Sequence, residues 1–78
     1  MNNITKNLHG HKARFLEIME CKDRITRSMR LEALETDMEF CYGIPRYGKL
    51  KIRAFRMSKD YAPVYKLYQE VKGAKWSE

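Results

Sequence analysis

Three sets of side chains in this sequence have types and spacings that could do chemistry. His9-Gly10-His11 is the only histidine pair, and Cys21 follows it at a distance of ten residues. Two imidazoles and a thiolate suit zinc. No C-x-x-C or H-E-x-x-H spacing accompanies them, so the expected reading is a solvated pair, with no metal and no cofactor. Cys21 and Cys41 are the only thiols. A catalytic thiol needs a base within hydrogen-bond reach and an oxyanion hole. Free cysteine is also among the most buried residue types, and packing is the plainer role for both.

The third set is acidic. Glu32, Glu35, Asp37 and Glu39 fall within residues 31–42, where there is no Lys or Arg. Glu32 and Glu35 share a helix face. A catalytic pair also needs a pocket that drives its two pKa values apart, and a chain of 78 residues has little volume to build one. A solvated helix face is the plainer reading. With no G-x-x-x-x-G-K-[ST] and no G-x-G-x-x-G to cradle a phosphate, the sequence reads as a non-enzyme.

What remains is charge. Residues 45–59, "PRYGKLKIRAFRMSK", hold six Lys and Arg and no acid, whereas the other ten Lys and Arg balance ten Asp and Glu. The whole net charge of +6 therefore comes from this stretch. Arg46, Lys49, Lys51, Arg53, Arg56 and Lys59 are the candidate charge contacts, with Tyr47 and Phe55 as aromatic anchors. If the stretch is extended, Lys49, Lys51 and Arg53 line one face. Against nucleic acid, the cations would act by counterion release and the rings by stacking on bases. No helix-turn-helix, zinc finger or RNP signature accompanies them, and an acidic protein surface attracts the same patch. The acidic residues 31–42 next in line could also neutralise it from within. Trp76, near the end of the chain, is a further interface candidate because Trp is enriched at binding hot spots.

Several elements must position these residues. Residues 11–42 contain no Gly or Pro and have helical composition. At about 100° per residue, the stripe of Phe15, Ile18, Met19, Ile25 and Met29 does not line up with that of Leu31, Leu34, Met38 and Cys41. The apolar face jumps by about half a turn near Ser28. One long helix packing on opposite sides, or two helices broken around 26–29, both satisfy this. Gly43 followed by Pro45 is a stop signal. Tyr61, Val64, Tyr68 and Val71, widened by Tyr65 and Leu67, predict a helix over 60–73, with Asp60 as N-cap and Gly73 as terminator. For residues 49–57 the alternation of Leu50, Ile52 and Ala54 with cations suits a strand. The 4-3-4 spacing of Leu50, Ala54, Met57 and Tyr61 suits a helix. Residues 1–10 read as a flexible tail with Ile4 and Leu8 as its apolar anchors.

The expected fold is thus mainly α: a helical hairpin or three-helix domain over 11–78, with a basic connector that has room for a short β-strand. A chain this short buries only about 60% of its unfolded surface, and homodimer formation is one way to enlarge a thin core. No apolar run reaches the roughly 20 residues of a membrane span, the first residues lack the apolar stretch of a secretory signal, and two cysteines make no disulfide framework. The expected setting is the cytoplasm, without membrane contact.

"LEALETDMEFCYGIP", a spacer and "DYAPVYKLYQEV" together resemble small proteins of Gram-positive bacteria and their phages. The resemblance covers about a third of the chain and implies a bacterial or phage accessory protein; it carries no activity. The leading expectation is a modulator that docks on a larger host or cellular protein. The alternative is a nucleic-acid-binding regulator that uses residues 46–59.

Overall fold

The computed structural model describes residues 3–76, with the backbone alone at Trp76. Four helices and no strand occur among the described residues: α1 (Asn3–Met19), α2 (Arg24–Tyr42), α3 (Lys49–Met57) and α4 (Ala62–Trp76). The main packing is α2 against α4. α1 lies on α2 and touches α4, whereas among the described residues α3 packs on α4 alone.

α1 begins well before the expected helix start at residue 11, so the expected tail is helical from Asn3 onward. The reason is a continuous stripe at 4-3-4-3 spacing: Ile4, Leu8, His11, Phe15 and Ile18. Ile18 is buried and the other four are half-buried. Such a stripe supplies an amphipathic face through the polar composition and through Gly10.

The run 11–42 is two helices, and the break falls at 20–23 rather than at 26–29. α1 closes with the short bonds Glu20 N–H to Glu17 O (3.1 Å) and Cys21 N–H to Ile18 O (3.0 Å). Asp23 then caps α2. Its carboxylate accepts the Thr26 amide at 3.2 Å and the Thr26 hydroxyl, and these bonds hold its pKa below the usual value. The phase jump has a simple cause: Ile25 and Met29 never face the core and are 72% and 66% exposed. In α2 the buried positions are Leu31, Leu34, Met38 and Tyr42, while Cys41 turns outward. Cys21 is half-buried, with its Sγ 3.7 Å from the Asp23 carbonyl oxygen.

Gly43 ends α2 with φ 65°, ψ 39°, and its N–H bonds the Glu39 carbonyl. This left-handed conformation costs L-residues about 1–2 kcal/mol. Gly43→Ala is therefore expected to lower the melting temperature by about 4–8 °C per kcal/mol for a domain of this size. Gly43→Asn should lose less, because Asn tolerates that region. Equal melting of wild type and Gly43→Ala would show that the helix ends some other way.

α4 follows the expected stripe, with Val64, Leu67, Tyr68 and Val71 buried and Pro63 in its first turn. It starts after Tyr61 rather than on an Asp60 cap. It also runs through Gly73 to Trp76, held near its end by Lys75 Nζ on Glu35 Oε2 at 2.9 Å. The core is a single cluster formed by Ile18, the α2 and α4 residues, and Ile44.

Candidate docking surface

The basic segment is built around α3, so the helical template is realised and the short strand is not. Gly48, with φ 89°, precedes α3 and supplies no side-chain cap. Two half-buried residues, Ile52 and Phe55, are its inward contacts. Phe55 stacks on Tyr61 (centroids 4.6 Å apart, planes 24° apart) and meets the Tyr65 edge at 6.1 Å. It is a packing residue of the α3–α4 contact, so its ring is engaged within the fold rather than free to stack on a base.

The helix changes which cations belong together. An extended segment would align Lys49, Lys51 and Arg53. The helix instead groups Lys49, Arg53 and Arg56 at i, i+4 and i+7, and sends Lys51 to the opposite flank. Between the flanks run Leu50, Ala54 and Met57. All three are exposed, with Leu50 at 81% and Met57 at 68%. The spacing that would have made these residues a core stripe makes them a solvent-facing one. Tyr47, just ahead of the helix, is 82% exposed. Lys59 lies exposed just beyond its end. The Trp76 side chain lies outside the described residues.

The acidic stretch of α2 does not cancel this patch. Glu32 is exposed, and the other three carboxylates fan out to three places. Asp37 pairs with Arg14 of α1 at 2.6 Å, and Glu35 with Lys75 of α4. Glu39 accepts the Tyr68 hydroxyl at 2.5 Å and lies 3.6 Å from Arg46. Arg46 is thus the only member of the basic segment in an ion pair among the described residues. Lys49, Lys51, Arg53, Arg56 and Lys59 have none. Lys72 sits over the Tyr68 ring at 5.2 Å, which adds a cation–π contact to the same corner. Burial raises the Tyr68 phenol pKa first, and the Glu39 hydrogen bond and charge raise it further.

Of the histidine pair expected to be solvated, His9 is exposed but His11 is half-buried and tied into structure. His11 Nδ1 is 2.6 Å from the Tyr42 hydroxyl, across the α1–α2 interface, and the two rings meet edge to face at 5.3 Å. Among the described residues, no three His, Cys, Asp or Glu side chains gather in a group that could hold a metal ion. Among the same residues, no helix is long and apolar enough to cross a membrane. Sequence reasoning missed the outward stripe on α3. Local spacing does not decide it: Ile52 with Phe55, and Leu50 with Ala54 and Met57, are both apolar sets at helical spacing, and the contacts of Phe55 with Tyr61 and Tyr65 choose the inner one. No family model matches the chain, and neither the curated proteins nor the solved structures contain a match to it.

Proposed function

We propose that this chain is a non-enzymatic binding protein, a bacterial or phage modulator that docks on a larger protein through α3. One observation carries this reading: an exposed apolar line, Leu50–Ala54–Met57, bordered by five cations that have no internal ion-pair partner among the described residues. Buried apolar anchors with a charged rim are the ordinary anatomy of a protein interface. The side chains best suited to catalysis support the same reading, since His11, Glu35, Asp37 and Glu39 all serve contacts between elements.

The second reading, a nucleic-acid-binding regulator, rests on the same cations. It leaves Leu50 and Met57 without a role, and it has Tyr47 but not Phe55 available for stacking.

Affinity purification from the native cell separates the two readings. The wild-type chain is expected to retain a protein at a fixed ratio. The double variant Leu50→Glu/Met57→Glu, altered only at exposed positions, should retain at least tenfold less of it. Recovery of the chain alone counts against docking. A DNA or RNA affinity that falls with log[salt] by about 0.9 per phosphate contacted, and that is indifferent to the double variant, would transfer the conclusion to the second reading.

A further inference from the structure

We infer that the surface α3 docks on is an acidic amphipathic helix: a leucine-type seam flanked by carboxylates. This rests on the docking reading and specifies its partner. Leu50, Ala54 and Met57 follow one another at spacings of four and three, the repeat by which one helix meets another. At about 1.5 Å rise per residue, the seam is about 10 Å long, roughly two turns. Phe55 packs on the core through Tyr61 and Tyr65 and Ile52 is half-buried, whereas Leu50, Ala54 and Met57 are exposed, so the seam is available to a second helix without displacing the Phe55 contacts.

The flanks choose the partner's sign. In a heptad with Leu50 and Met57 at d and Ala54 at a, Lys51 falls at e and Arg53 at g. These are the positions whose charges select the partner in helix pairs. Lys49 and Arg56 stand further out on the Arg53 side. None of the four has an ion pair within the chain among the described residues, so a partner helix with Glu at its own flanks meets uncompensated cations on both sides of the seam.

The width of the stripe argues against the other anionic surfaces. Leu50, Ala54 and Met57 span an arc of about 60° at 100° per residue. That is the narrow seam of paired helices rather than the face of 100° or more expected of a broad apolar surface. A bilayer rewards buried apolar area, and this arc includes one Ala. A duplex offers phosphates to the cations but little apolar surface to Leu50 and Met57.

The test uses the full chain and defined probes. The probes are a peptide with Leu at every a and d and Glu at every e and g, the same peptide with Lys at e and g, the Glu version with Ser in the seam, phosphatidylglycerol vesicles, and mixed-sequence duplex DNA. Binding is read by fluorescence anisotropy, or by co-sedimentation for the vesicles. The Glu-flanked leucine peptide is expected to bind at least tenfold more tightly than either altered peptide. Leu50→Ser/Met57→Ser should lose that binding at least tenfold, with the helical circular dichroism signal retained. Lys51→Glu/Arg53→Glu should invert the preference toward the Lys-flanked peptide.

Equal binding of the two leucine peptides, or a charge variant that keeps the wild-type preference, overturns the inference. So does tighter binding of vesicles or DNA than of the Glu-flanked peptide. If no peptide preference is found but the native-cell partner is still lost with Leu50→Glu/Met57→Glu, the helix partner is wrong and docking stands. If no native partner is retained at all, docking itself fails.

Discussion

Leu34→Ala is expected to remove a large share of the stability of this protein. Leu34 has no exposed surface and belongs to the one core cluster, on the helix that packs against both α1 and α4. Truncating a buried Leu costs about 2–5 kcal/mol, because transfer free energy is lost and a cavity remains. A chain of this length has only about 4–12 kcal/mol in total, at 0.05–0.15 kcal/mol per residue. Far-UV circular dichroism should show a melting temperature lower by 10 °C or more, at about 4–8 °C per kcal/mol. Leu50→Ala removes the same atoms from a side chain that is 81% exposed, and surface changes of this kind stay within about 0.5 kcal/mol. The contrast between two identical substitutions tests the orientation of α3 directly. If Leu50→Ala melts as early as Leu34→Ala, the seam faces inward and the docking surface does not exist.

The second large effect is expected at high pH. Tyr42 and Tyr68 are both buried, and burial disfavours their phenolates. The pKa of Tyr42 is pushed up to about 12, chiefly by desolvation, and that of Tyr68 is pushed further in the same direction. A raised folded-state pKa means that the unfolded chain releases these protons first, so above about pH 10 it binds fewer protons than the native state. Stability is then fully present below about pH 10 and falls as pH climbs toward the folded values. Urea unfolding at a series of pH values should show a midpoint that declines from about pH 10 upward. Two of the five tyrosines should ionise late, together with loss of helix. Tyr68→Phe should flatten the decline at the expense of the Glu39 hydrogen bond. A phenolate absorbance titration in which all five rings ionise in one step, with the helices intact, would sink this account.

Much of the helical content was legible because it rests on periodicity. The α4 stripe of Val64, Leu67, Tyr68 and Val71, and the α2 set of Leu31, Leu34 and Met38, are apolar side chains at helical spacing, and all are buried. The stop at Gly43 was legible because glycine adopts the left-handed conformation of that turn without Cβ strain. The start of α1 was obscured by polar composition, although Ile4, Leu8 and His11 extend the stripe of Phe15 and Ile18 without a gap. The α1–α2 break was misplaced because Ile25 and Met29 look like core residues in sequence and are not. Periodicity cannot tell an inward stripe from an outward one. In α3 both exist, and the aromatic contacts of Phe55 with Tyr61 and Tyr65 decide between them. Those contacts depend on the angle at which α4 passes, which no local pattern encodes.

The isolation of α3 from α1 and α2 has a consequence for how such a protein changes over generations. Of its nine residues, two are held by the rest of the fold and seven face solvent. Substitution at those seven leaves the cluster formed by Ile18, α2 and α4 untouched. Selection can therefore rewrite the outer face of the helix without renegotiating how the chain folds. Across a lineage, Ile52 and Phe55 would be kept while the outer face drifted, and the core would record descent where the outer face of α3 would not.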